Sequence, residues 1–172
     1  RSRPPPRGAA HRGAVVKEHG TSALAGTIWR LRAIVKPPVT LGVRGMVLTA
    51  DRRILLVRHT YMGGLHMPGG AVDPGESARE AMRREVAEES GMRLVEAGRF
   101  FHLYWNRGLA GRDHVALFVV ETATEAGVAG FSSAEIAEAG FFPTGDLPAD
   151  VTPSTRRRVE EVLRGAPVAD EW

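Results

Sequence analysis

Apolar and polar positions follow two different periods along this chain, and each change of period marks an element. Residues 39–48 and 54–58 are short apolar runs rich in valine, leucine and isoleucine, separated by the turn Asp51-Arg52-Arg53, which predicts two strands. Residues 77–90 contain no glycine or proline and predict a helix. Residues 93–105 and 113–121 predict a strand pair joined by the turn-rich stretch 106–112, and residues 138–143 predict another strand. Thr152 with Pro153 just inside opens a last helix that runs to about Arg164, where Gly165 stops it. Near the start, Leu24, Ile28, Leu31 and Val35 share one face, predicting an amphipathic helix over residues 21–36 that Thr21 caps and Pro37-Pro38 ends. Strands mixed with a few helices, and no internal repeat, predict an α/β fold with a mixed sheet flanked by helices.

Composition narrows the picture in three ways. At 172 residues the chain has room for one domain and an appendage. The expected division is a basic, Pro/Gly/Arg-rich tail over residues 1–20, the helix 21–36, a main domain 37–166 and a short C-terminal tail 167–172. No cysteine is present, so disulfides, thiolate zinc sites and cysteine nucleophiles are excluded, in keeping with a cytoplasmic protein. No apolar run approaches the roughly 18 residues that a membrane span requires. The basic pI of 9.9 reflects where the charge lies. The first 17 residues hold five of the 23 basic residues and no acid, leaving 18 basic residues against 20 acidic ones in the remainder. Pro4-Pro5-Pro6, Gly8 and Gly13 make that segment read as a flexible extension, so nucleic acid is not the expected partner. Trp29 beside Arg30, Arg32 and Lys36 would suit a membrane surface; the preferred reading packs the helix on the main domain or on a second copy in a homodimer.

The stretch with the most chemical content is residues 70–92, GAVDPGESAREAMRREVAEESGM. With about 100° per residue and Glu85 at zero, Glu89 falls near +40° and Glu88 near −60°, so three carboxylates share one face. Ala78, Ala81 and Met82 hold the same azimuth in earlier turns, whereas Arg79, Arg83, Ala87 and Ser90 fill the other side. A charge run on a helix is ordinarily a solvated face, but that reading would put the acids with the arginines. Like charges at i, i+3 and i+4 repel, more so when partly buried, and a divalent cation removes the penalty. Clustered carboxylate oxygens without cysteine suit a hard ion, Mg²⁺ or Mn²⁺, which assists attack of water on phosphorus.

These residues resemble the Nudix box. Gly70, Glu76, Arg84, Glu85, Val86, Glu88, Glu89, Gly91 and Met92 occupy every position of that pattern. Seven exact residue types at fixed spacing arise by chance on the order of once in 10⁹ positions at about 5% usage each. The resemblance implies a Nudix-type α/β/α sandwich with a mixed β-sheet, the N-terminal helix and basic tail being additions. It implies a pyrophosphohydrolase that cleaves the diphosphate bond of a nucleoside diphosphate linked to another moiety, with Mg²⁺ or Mn²⁺ as cofactor. Glu85, Glu88 and Glu89 would hold the metal with the Gly70 carbonyl, Glu85 being a candidate base. Arg84 would orient the glutamates, Glu76 would tie the loop to the helix, and Gly69 and Gly70 would let backbone approach the metal and phosphates.

Other candidates lie outside the box. Arg58 and His59, ending the second strand, are candidate phosphate contacts, against the plainer reading of an exposed strand end. Some relatives use a further glutamate late in the domain, and Glu135 is the pick over Glu121, Glu125 and Glu138 because it lies just before the last strand. Phe100, Phe101, Tyr104 and Trp105 could stack on a base or fill the core, and Arg156-Arg157-Arg158 read as a solvated helix face. No proline occurs between Pro74 and Pro143, and Tyr104 comes too early, so the marks of the ADP-ribose and dinucleoside-polyphosphate groups are missing. The remaining expectation is a nucleoside triphosphate or damaged nucleotide as substrate. The alternatives are a non-nucleoside diphosphate, or a catalytically silent ligand-binding or regulatory module of the same fold.

Overall fold

The computed structural model describes residues 38–96, 98–108, 111–122 and 134–172. The expected basic tail and the helix at 21–36 lie outside the described residues. Seven elements follow in order: β1 (Thr40–Thr49), β2 (Arg53–His59), α1 (Ala78–Ser90), β3 (Arg99–Asn106), β4 (Asp113–Thr122), β5 (Ile136–Pro143) and α2 (Pro153–Arg164). The strands form one mixed sheet in the order β3-β4-β1-β2-β5. Its central pair, β1 with β4, is parallel over ten residues, and the other pairs are antiparallel.

Alternation along the strands divides the core in two. Val43, Val47, Leu55, Ala116 and Phe118 face α1 and pack with Ala81, Met82 and Val86. Met46, Leu48, Ile54, Leu56, Leu117 and Val119 face the other way and pack with Tyr104, Val151 and Val159. Both faces of the sheet are covered, which is why β2 reads as a continuous apolar run rather than as an alternation. The result is the expected α/β/α sandwich. Among the described residues no helix is long and apolar enough to cross a membrane.

Helix ends match their signals. Ser77 and Glu80 form a capping box at the start of α1, and Gly91, at φ +75°, closes its end. Thr152 caps α2 with Pro153 in its first turn, and Gly165 closes it. Elsewhere the structure departs from expectation. The strand expected from residue 93 starts at Arg99, because Met92 and Leu94 turn into the core below α1 instead of pairing. Ser90, expected on the solvent side, is buried; its hydroxyl donates to the Val86 carbonyl at 2.6 Å and accepts from Met92 N–H at 3.2 Å.

The largest correction concerns the arginine run at 156–158, expected on a solvated face. Arg158 is fully buried. Its guanidinium donates to Glu161 Oε1 at 2.7 Å and to the Glu171 carbonyl at 3.0 Å, and lies 4.1 Å from the centre of the Tyr104 ring. Tyr104 in turn donates its hydroxyl to Glu161 Oε2 at 2.7 Å. A buried charge persists only when paired in this way. Residues 167–172, expected as a tail, run beside β3: Trp105 N–H donates to the Asp170 carbonyl at 2.8 Å and Trp172 N–H to the Trp105 carbonyl at 3.0 Å.

One feature of the sheet positions the site. β1 pairs with β2 only at Leu48 opposite Ile54, so the first half of β1 needs another partner on that edge. The glycine loop supplies it. Val72 N–H donates to the Leu41 carbonyl at 2.9 Å, Val43 N–H to the Gly70 carbonyl at 2.8 Å and Gly45 N–H to the Pro68 carbonyl at 2.9 Å.

Candidate active site

The loop carrying Gly69 and Gly70 is clamped from two directions. From β1, the half-buried Arg44 donates to the carbonyls of Met67 and Gly69 at 2.9 and 2.7 Å. From α1, Glu89 accepts the Gly69 N–H at 2.9 Å. Gly69 sits at φ +148°, and a Cβ there would stand 2.0 Å from the Val43 carbonyl oxygen. A Cβ on Gly70 would stand 2.4 Å from Glu85 Oε1. Glycine at both positions is what lets the backbone come this close to the carboxylates.

α1 delivers the acids. Glu89 is only 8% exposed, although it belongs to the most hydrophilic class of side chains. Burial pushes its carboxyl up to about 7, against the pull of the Gly69 N–H and Arg44, and the charge of Glu85 adds to the rise. Glu85 is raised as well, first by burial and then by Glu88, although Arg84 opposes the shift. Glu88 is the exposed member of the trio. Arg84 links the set: it holds both oxygens of Glu76 at 2.7 and 3.2 Å, Glu85 Oε1 at 2.8 Å, Glu88 Oε2 at 3.2 Å and the Ala71 carbonyl at 3.1 Å. The same guanidinium draws Glu76 below the usual carboxylate range, whereas at Glu85 burial outweighs it.

Of the candidates outside the box, His59 and Glu135 lie beside Glu89. His59 is buried, its Nε2 stands 3.5 Å from Glu89 Oε1, and neither ring nitrogen has a hydrogen-bond partner among the described residues. Burial and the charge of Arg44 keep its ring below the usual histidine range, hence neutral near pH 7. Glu135 is close enough for its charge to act on His59, Tyr61 and Glu89. Arg58 is engaged differently: it pairs with Glu138 at 2.9 Å and Asp150 at 2.6 Å. Arg58→Gln is therefore expected to leave kcat and KM within about twofold of wild type in steady-state kinetics, these being exposed surface pairs; a tenfold rise in KM would place it on substrate.

Arg44 was not singled out from the sequence, yet it braces the loop. The signal was there: one arginine in the otherwise uncharged run TLGVRGMVLT. Such a charge inside a central strand needs partners, and the loop carbonyls provide them.

The donor set fits a divalent metal. Glu85 and Glu89 are largely buried carboxylates, each raised first by burial and then by a neighbouring glutamate, Glu88 for Glu85 and Glu85 for Glu89, and hard oxygen ligands are what Mg²⁺ and Mn²⁺ take. The Gly70 carbonyl accepts Val43 N–H and retains a second lone pair. Among the described residues no three His, Asp or Glu side chains form a closed cage, and Arg84 spans Glu85 and Glu88.

The NUDIX domain family matches residues 39–162, and the chain belongs to the Nudix family. A Bacillus subtilis protein named "Putative 8-oxo-dGTP diphosphatase" is 30% identical over 74% of this chain and 82% of its own. A Xenopus laevis m7GpppN-mRNA hydrolase is 30% identical over 51% of this chain, which spans only 34% of that protein. Among solved structures, the MutT NUDIX hydrolase of Burkholderia pseudomallei shares the fold with a TM-score of 0.62 and 23% identity, covering 74% of this chain and 99% of that one. The NUDIX domain of Shewanella oneidensis NrtR, complexed with ADP ribose, aligns with a TM-score of 0.66 and 19% identity over 86% and 99% of the two chains. The family and the intact box support a pyrophosphohydrolase.

Proposed function

We propose that the chain is a Mg²⁺- or Mn²⁺-dependent pyrophosphohydrolase of nucleotides, cleaving a nucleoside triphosphate or a damaged nucleotide to the monophosphate and pyrophosphate. The observation that carries this reading is the joining of Glu85 and Glu89 to the Gly69-Gly70 loop, by the Gly69–Glu89 hydrogen bond and the contact of Glu85 with Gly70. The B. subtilis relative supports a nucleoside triphosphate over other diphosphates. Glu85, Glu88 and Glu89 would hold the metal, which when bound neutralises charge on the diphosphate and activates water. Glu89, tied to the Gly69 N–H beside the loop, and Glu85, in contact with Gly70, are the two groups placed to accept a proton from the attacking water. Arg84 keeps Glu85 and Glu88 oriented, and Arg44 holds the loop in place through the Met67 and Gly69 carbonyls.

The test is product analysis. With Mg²⁺, in a panel of canonical and oxidised nucleoside triphosphates, nucleotide sugars and prenyl diphosphates, the nucleoside triphosphates are expected to be the ones cleaved, to nucleoside monophosphate plus pyrophosphate. Hydrolysis in ¹⁸O-labelled water then locates the attacked phosphorus. Nucleoside diphosphate plus orthophosphate would mark a phosphatase instead, and cleavage of no diphosphate with either metal would leave a binding module.

A further inference from the structure

The two oxygens of Glu89 face different parts of the fold. Oε2 accepts the Gly69 N–H at 2.9 Å. Oε1 faces His59, whose Nε2 stands 3.5 Å away. The His59 side chain is 3% exposed, and both ring nitrogens are buried with no hydrogen-bond partner among the described residues. An imidazole always carries at least one N–H, and burying that donor without an acceptor is costly. A shift of about half an ångström would bring Nε2 to ordinary hydrogen-bond distance from Oε1.

The backbone leaves His59 little freedom to be elsewhere. Alternation along β2 puts Leu55, Val57 and His59 on the face that α1 covers. The pairing of β2 with β5 changes register between Arg58 and His59, so that His59 lies opposite Ile136 and Ala137 is the extra residue. Beyond that bulge the Thr60 N–H donates to the Glu135 carbonyl at 2.8 Å, which keeps the end of β2 in the sheet. On the other edge Val57 and His66 exchange two backbone hydrogen bonds at 2.9 Å, tying β2 to the loop that carries Gly69. The rings of Tyr61 and His66 flank the imidazole at centroid distances of 5.1 and 5.8 Å. Loop and strand thus reach Glu89 as one unit, the loop at Oε2 and the strand at Oε1.

We propose that His59 is a positioning residue for Glu89, donating its Nε2–H to Oε1 so that the carboxylate is fixed at both oxygens. The ring is neutral near pH 7, so its one proton then sits on Nε2 and Nδ1 has none. Each oxygen of Glu89 keeps a lone pair for a cation. A hydrogen-bond donor behind a ligating carboxylate sets its orientation, and losing that donor weakens metal binding. A ring this enclosed acts through Glu89 rather than on the phosphates of a substrate. The proposal rests on the reading of Glu89 as a metal ligand, but the pairing itself can be tested without metal or turnover.

The first probe is Mn²⁺ alone, titrated by calorimetry against the full wild-type chain, His59→Leu and His59→Gln. His59→Leu is expected to bind Mn²⁺ about tenfold to a hundredfold more weakly. His59→Gln, whose amide keeps an N–H at similar reach, is expected to recover most of that loss, and thermal melts with a chelator report whether each variant folds. The second probe is the nitrogen-15 spectrum of the metal-free wild type, which is expected to show the His59 proton on Nε2. In Glu89→Gln the amide oxygen stays with the Gly69 N–H and the amide NH₂ turns to the ring, so the proton is expected to move to Nδ1. A Mn²⁺ affinity in folded His59→Leu within about twofold of wild type, equal losses in the leucine and glutamine variants, or a wild-type proton on Nδ1 would overturn the proposal. If wild type binds no Mn²⁺ and cleaves no diphosphate, yet its His59 proton sits on Nε2 and moves in Glu89→Gln, the hydrolase reading fails and the positioning role stands. If wild type binds Mn²⁺ and cleaves nucleotides with the proton on Nδ1, the reverse holds.

Discussion

Glu89→Gln is expected to reduce Mg²⁺-dependent turnover by about 10²- to 10⁴-fold, the range for losing a positioned proton acceptor, while the protein stays folded. Glutamine keeps an oxygen to accept the Gly69 N–H, so the loop remains tied to α1. What disappears is a buried carboxylate, and stability should register this in a pH-dependent way. Glu89 titrates at about 7 in the folded chain against an ordinary 4.5, so between those values the folded state holds the extra proton. Its contribution is fully present below 4.5 and is lost as pH rises through 7. The metal-free wild type should therefore be more stable near pH 5 than near pH 8, by an amount on the order of 3 kcal/mol at most from this group. Glu89→Gln should flatten that slope, measured by denaturant melts across pH with a chelator present. Wild-type turnover in the variant would remove Glu89 from the site; an unchanged slope would mean the carboxyl is not held in the protonated form.

The paired glycines should separate fold from chemistry. In Gly69→Ala the new methyl meets the Val43 carbonyl at 2.0 Å and the Arg44 Cα at 2.9 Å, all backbone, and alanine also disfavours φ +148°. The loop must leave β1, breaking its ladder bonds and the Arg44 clamp. A loss of several kcal/mol is expected, at the large end for a single substitution. In Gly70→Ala the methyl meets the Glu85 carboxylate at 2.4–2.8 Å, the far end of a flexible side chain. That carboxylate can move. The fold should survive with a melting temperature close to wild type, while turnover falls with the displaced Glu85. Thermal melts paired with single-turnover rates check both variants, and two equally stable proteins would show that the loop is not pressed against β1.

What could be read from the chain was whatever depends on short sequence separation. The Pro153 start and Gly165 stop of α2 are local and appear where expected, and the capping box of α1, though not singled out, is just as local. The Nudix box also pointed to the loop glycines. Residues whose roles depend on distant partners were harder. Arg158 looks like its neighbours in sequence, and its burial becomes tolerable when Tyr104 and the Glu171 carbonyl, brought in by β3 and the last residues, join its ion pair with Glu161. For Arg58, the partners Glu138 and Asp150 come from β5 and the approach to α2, far off in sequence. Asn106, Asp113 and Trp172 carry no motif at all: they line one cavity because β4 pairs with β3 and the last residues run beside β3.

That register also governs the order of assembly. β1 and β4 pair residue for residue from Thr40 opposite Asp113 to Thr49 opposite Thr122. Each pair is separated by 73 residues, as for the Thr40–Asp113 hydrogen bond, and the interval contains β2, the glycine loop, α1 and β3. Closing it costs about 2 kcal/mol more chain entropy than closing a ten-residue loop. The hairpins on either side, β1 with β2 and β3 with β4, close over far shorter stretches and form first. Joining them is expected to be the slow event, and it brings Asp113 beside Thr40. A nascent chain therefore carries its whole acidic box before the sheet beneath it is complete.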